Sequence, residues 1–188
     1  MRADARAKRR DLLDAAWELV AERGAEVPLR TVAGQAGVGI GTLYRHFPTR
    51  EDLLLGLIDD FAERVLAIVA AHLERWEADP EAAWRGFVHE IAELGFGSIA
   101  YQLGPFAKHS PGLFAQAMER REKVADALPP LLEAAKRAGL LAADTDPERF
   151  LVGLAVLTRP LPDAVAARIP QQREWMVDVY LQGLRPGN

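Results

Sequence analysis

The 188-residue sequence contains no cysteine. That absence excludes disulfides, thiolate zinc sites and cysteine nucleophiles together, and it leaves packing alone to hold the chain. No apolar run approaches the roughly 18 to 20 residues that a membrane-crossing helix needs, and no apolar signal core comes after the basic N-terminal stretch. A cytoplasmic protein with no membrane partner is expected. Sustained period-two alternation is missing, so essentially no sheet is expected. Repeats and low-complexity tracts are missing too. Ser, His and Asp are present without a nucleophile elbow or another catalytic motif, so neither enzymatic activity nor a cofactor is expected.

The residues present are ordinary globular material, 49% hydrophobic and 27% charged. The length suits one compact domain or a small module with a larger body. The net charge of −4 hides an asymmetry. Residues 1–50 carry nine Lys/Arg against six Asp/Glu, or +3, and the remainder carries 14 against 21, or −7. A basic head on an acidic body is implied, and only the head need meet phosphate.

Helical periodicity runs through the chain. Leu13, Ala16, Trp17 and Val20 predict a first helix over 6–23, ended by Gly24. Pro28 suits a first helical position, and Leu29, Val32, Ala33 and Ala36 mark a short second helix closed by Gly37. Pro48 comes after a third helix, and Thr49 is an N-cap for a long fourth helix running to about Leu73. His72 reads as a tolerated boundary residue of that helix. Beyond it, Trp84, Phe87, Val88, Ile91 and Leu94 stripe a fifth helix. Around Gly104-Pro105 only a short helix or loop is expected. Ser110-Pro111 opens a helix, Pro129-Pro130 splits or kinks the helical run there, and Asp146-Pro147 starts another that ends at Arg159-Pro160-Leu161-Pro162. A last helix carries Trp175, Met176, Val179, Tyr180 and Leu184.

The stretch from Thr31 to Phe47 is the most constrained. At roughly 100° per residue, Ile40, Leu43, Tyr44 and Phe47 share one arc, which is expected to be buried, while Gly41, Thr42, Arg45 and His46 share the opposite one. A seven-residue helix with hydroxyl, guanidinium and imidazole on its outer face has the inventory of a DNA recognition helix. Leu13, Trp17, Leu29, Val32, Leu43 and Phe47 are the expected core of this three-helix module, which is bounded near residue 50. The basic cluster Arg6, Lys8, Arg9 and Arg10 is either a solvated end of the first helix or a phosphate-contacting edge.

Ala36-Gly37-Val38, then Gly41-Thr42-Leu43-Tyr44-Arg45-His46-Phe47, then Arg50-Glu51-Asp52-Leu53-Leu54, closely resemble the DNA-binding signature of the tetracycline-repressor (TetR) family. The resemblance implies an all-α protein: an N-terminal helix-turn-helix head (1–50) joined by a long helix to a helical effector-binding and dimerisation body (51–188). It implies a regulator, expected to be a repressor released from a palindromic double-stranded DNA operator by a small molecule, working as a homodimer through its two C-terminal helices. It places Arg30 and Arg45 at base-reading positions, and Thr42, Tyr44, His46 and Arg50 at phosphate-binding ones; Thr31 is a further DNA-binding candidate, and Gly41, lacking a Cβ, permits close backbone approach to a sugar-phosphate strand. Gly39 departs from the family's usual capping serine and Pro28 from its usual capping threonine. Glycine still serves as a cap, at a cost of a few tenths of a kcal/mol against serine.

The body signals are weaker. Trp84, Phe87, His89, Tyr101, Gln102, Phe106, His109, Phe114 and Met118 are candidates to line a pocket between helices, although such aromatics more often form plain core. Glu90 with Glu93, or His89 with Glu93, has metal-ligand spacing that helical surfaces produce by chance, so no metal is expected. The alternatives are a constitutive helix-turn-helix protein without effector, or a helical small-molecule-binding protein or enzyme with a vestigial head.

Overall fold

The structure is a computed structural model that describes residues 2–159 and 161–187. Eleven helices succeed one another among the described residues: α1 (Arg2–Arg23), α2 (Leu29–Gln35), α3 (Ile40–His46), α4 (Arg50–Arg75), α5 (Pro80–Glu93), α6 (Phe96–Ala107), α7 (Pro111–Ala127), α8 (Pro129–Arg137), α9 (Pro147–Leu157), α10 (Asp163–Ala166) and α11 (Gln172–Gly183). No described residue lies in a strand. Pro160, part of the expected stop after α9, lies outside the described residues.

Most boundaries have a local cause. Gly24, Gly37, Gly95 and Gly139 take positive φ at helix ends, a conformation that costs glycine least. Asp79 and Asp146 cap α5 and α9 by accepting from the Ala82 and Arg149 amides, each with a proline next in the chain. The Pro129-Pro130 pair splits α7 from α8 as expected. Other expectations need correction. The first helix begins at Arg2, four residues early. Pro28 is the N-cap of α2, with extended ψ of 131°, and not its first helical residue. The segment around Gly104-Pro105 is a full helix of 12 residues, with Pro105 inside its last turn.

The chain clusters into two compact units, Met1–Phe61 with Ile99–Arg120 and Ala62–Ser98 with Arg121–Asn188. The first has a core of Leu12, Leu13, Leu19, Val32, Leu43, Phe47, Leu53, Leu54 and Leu57, joined by Ile99, Leu103 and Leu113. Trp17 and Leu29 are partly buried against it, and Trp17 stacks on Phe61 at 5.9 Å. Arg120 on α7 donates to Asp59 on α4 at 2.7 Å, and Ser110 donates to Glu51 at 2.6 Å.

In the second unit α5, α9 and α11 pack on one another. Their seam is aromatic: Trp84 stacks on Phe87 and Phe150 at 5.7 and 5.5 Å, and Phe150 on Tyr180 at 6.2 Å. The Tyr180 hydroxyl donates to the Phe150 carbonyl at 3.1 Å. A Cβ at Gly153 would overlap that hydroxyl, so glycine sets the approach of α11 to α9. Burial pushes the Tyr180 hydroxyl up to about 12 from its ordinary 10.0. His72, expected at a boundary, is buried against Gly86 and edge-on to Phe87, with Nε2 3.2 Å from Glu90 Oε1. Helical spacing located its arc; only the arrival of α5 covers it.

Candidate nucleic-acid interface

The turn between α2 and α3 is a Schellman motif. Gly37 donates to the Gly34 carbonyl at 3.1 Å and Val38 to the Ala33 carbonyl at 3.0 Å, while Val38 packs on the core. Gly37 supplies the left-handed residue, with φ 66°. Gly39 then caps α3 through backbone alone, its carbonyl accepting from the Thr42 amide at 2.8 Å. Leu43 and Phe47, at i and i+4, are the residues that anchor this helix, 0% and 2% exposed. A Cβ at Gly56 of α4 would stand 2.7 Å from the Phe47 ring, so glycine there admits the ring, and the Arg9 guanidinium covers it at 5.1 Å from the centroid. Thr49 and Asp52 form a reciprocal capping box at the start of α4: the Asp52 amide donates to Thr49 Oγ1 at 3.1 Å, and the Thr49 amide donates to Asp52 Oδ2 at 2.9 Å.

Two members of the expected buried arc of α3 lie outside. Ile40 is 42% and Tyr44 49% exposed. Neighbouring elements cover this short helix only along the Leu43–Phe47 line, and the arc drawn on a wheel is wider than that contact. The outer surface therefore holds Ile40, Gly41, Tyr44 and Arg45 exposed, with Thr42 and His46 half-buried beside them. Arg45 lies back along its own helix, donating to the Gly41 carbonyl at 3.2 Å and to Thr42 Oγ1 at 3.5 Å. On α2, Arg30 is exposed and Thr31 half-buried.

Arg50 is already engaged. Its Nη1 donates to the carbonyls of Ala25 and Val27, both at 2.6 Å, and so pins the loop that leads into α2. Sequence reasoning missed this bracing, and nothing local signals it, since the partners are 23 and 25 residues away. The cluster at the start of α1 is also divided: Arg9 serves Phe47, Lys8 pairs with Asp4 at 2.9 Å, and Arg10 stands 3.9 Å from Asp60.

This arrangement has a match. The model of bacterial regulatory proteins of the tetR family fits residues 12–57, and that of the SbtR-like transcriptional regulator C-terminal domain fits residues 79–186. The chain belongs to the TetR family of transcriptional regulators. Within it, the chain is similar to the HTH-type transcriptional repressor KstR of Rhodococcus jostii, 30% identical over 141 residues. That match covers 64% of each protein, so the chain spans less than two thirds of this relative's length. Two solved TetR regulators, SCO0520 of Streptomyces coelicolor and one from Mycobacterium vanbaalenii, are each 28% identical with TM-score 0.69. The first match covers 96% of this chain and 99% of that one; the second covers 98% of both.

The body candidates of this TetR chain do not gather in one compact unit. Tyr101, Gln102, Phe106, His109, Phe114 and Met118 fall in the first, while Trp84, Phe87 and His89 fall in the second. Tyr101, Phe114 and Met118 are exposed, Phe106 packs on the core, and Gln102 donates to the Ala21 carbonyl at 3.4 Å. His109 Nδ1 is 3.0 Å from the Pro105 carbonyl. Trp84 and Phe87 belong to the aromatic seam, and His89 Nε2 lies 2.9 Å from Asp178, which Arg85 also meets at 2.8 Å. Among the described residues no three His, Cys, Asp or Glu side chains gather as a metal site, and no helix is long and apolar enough to cross a membrane.

Proposed function

We propose that this chain is a ligand-responsive repressor that binds a palindromic DNA operator as a homodimer. The observation that carries the reading is α3 itself: Leu43 and Phe47 lock it into the head while Thr42, Tyr44, Arg45 and His46 are left on its outer side. Two copies of α3 would enter successive major grooves roughly 34 to 36 Å apart. Arg45 and Arg30 read base edges, while Thr31, Gly41, Thr42, Tyr44, His46 and the free side of Arg50 meet the sugar-phosphate backbone. That the relative KstR is a repressor supports the sign of regulation.

The dimer is supported by a second apolar stripe on each C-terminal helix. Phe150 and Leu154 of α9 and Val177 and Leu181 of α11 are buried, yet Val152, Val156, Trp175 and Val179 stay exposed at i, i+4 spacing. A helix that is apolar on two sides has two partners to cover. An effector site in the second unit is supported by Trp84, whose indole N–H is buried with no acceptor among the described residues. Leaving such a donor unpaired costs about 1 to 3 kcal/mol, which an effector carrying a hydrogen-bond acceptor would relieve.

Selection of bound duplexes from a random pool tests the reading. An approximate palindrome with one-turn half-site spacing is the expected result, with log K falling linearly in log salt at a slope near −0.9 per neutralised phosphate. Binding with neither sequence preference nor salt dependence would remove it.

A further inference from the structure

Ile40 is an exposed, branched apolar side chain on the outer surface of α3, which it shares with the Tyr44 ring and the polar groups of Thr42, Arg45 and His46. Its two neighbours are glycines that the fold does not require. Neither Gly39 nor Gly41 has positive φ, and a Cβ added at either meets nothing within 4 Å. Glycine at position 41 weakens the helix relative to alanine, so its use there has no internal benefit. Together the two glycines clear a window around one protruding side chain. Arg45, held back on the Gly41 carbonyl and Thr42, leaves that window open.

A major groove presents hydrogen-bonding edges and one apolar feature, the 5-methyl group of thymine. Ile40 has nothing to donate or accept, and its β-branched side chain has few rotamers to lose on contact. We propose that Ile40 is a specificity-determining residue that packs on a thymine 5-methyl in each operator half-site, with Gly39 and Gly41 admitting the DNA edge to contact distance. This rests on the operator-binding reading above.

The test replaces each thymine of the selected operator, one symmetric pair at a time, with deoxyuridine, which removes the methyl and keeps the hydrogen-bonding edge. One pair is expected to lower wild-type affinity by about 4-fold per half-site, which is about 0.8 kcal/mol for one buried methyl at 1.4 kcal/mol per factor of ten. Ile40→Ala is expected to bind the thymine and uracil versions alike at that pair, and Ile40→Val to keep the discrimination. The two losses are then coupled in a double-mutant cycle and do not add. The proposal is overturned if no thymine in the half-sites is sensitive, or if Ile40→Ala remains as sensitive as wild type. A wild-type protein that selects no sequence at all removes the operator-binding reading instead, so the two failures are separable.

Discussion

The outer side of α3 and the outer sides of α9 and α11 are both exposed, and they differ in kind. On α3 the outer residues are mixed, Arg45 with half-buried Thr42 and His46 beside exposed Ile40, Gly41 and Tyr44; on α9 and α11 they include Val152, Val156, Trp175 and Val179. Each helix is held by a buried pair at i, i+4: Leu43 and the C-cap residue Phe47 for α3, Phe150 and Leu154 on α9, Val177 and Leu181 on α11. The fold therefore accounts for the inner faces alone. A charged outer face gains from a polyanion, and a large apolar one gains from another apolar surface.

The largest effect should come from separating these roles. Val156→Asp places a charge in the apolar stripe, and sedimentation should show monomers whose helicity is unchanged. Losing the second head should lower operator affinity by about 10²- to 10⁴-fold, the usual gain from linked binding. Unchanged oligomeric state would break the comparison. Next, Phe47→Ala should cost about 3 to 5 kcal/mol of head stability in denaturant titrations, while the dimer persists because its stripe lies elsewhere.

A finer division is expected within the head. Arg45→Ala should relax preference at one operator position by about 1 to 3 kcal/mol. Arg50→Ala should weaken all sequences alike, and it should also destabilise the head, because it removes both hydrogen bonds to the Ala25 and Val27 carbonyls. Identical base-preference profiles for the two variants would erase the distinction.

The smallest effect belongs to the body's inner seam. Tyr180→Phe removes the hydrogen bond to the Phe150 carbonyl and should cost about 0.5 to 1.5 kcal/mol. It should also remove an alkaline pH dependence. The folded protein holds Tyr180 neutral up to about 12, above its ordinary 10.0. The unfolded chain thus releases its proton first, and the stabilisation, complete below about pH 10, is lost as pH rises through about 12. Melting temperatures of both proteins between pH 8 and 11 check this.

Much of the head was legible because its signals are local. Gly24, Gly37 and Thr49 end or start helices through their own backbone or side-chain chemistry, and Leu43 and Phe47 obey helical spacing. Ile40 and Tyr44 were misplaced because periodicity shows which residues share an arc without showing how much of that arc another element covers. The last helix repeats the lesson: Trp175 and Val179 fit an apolar stripe, but it is the outer one, and Val177 and Leu181 turn inward. In the body, residue type alone does not tell a stacked ring such as Trp84 from an exposed one such as Phe114.

Local sequence by itself determined the helical class, the glycine and proline punctuation, and the signature from Gly37 to Leu54, since each depends on residues within a turn or two of one another. Tertiary structure alone decided that Arg50 braces the loop before α2, that His72 is buried, and that Ile40 is left exposed. Those outcomes depend on which surfaces meet across distant segments, and burial is a property of the meeting rather than of either segment.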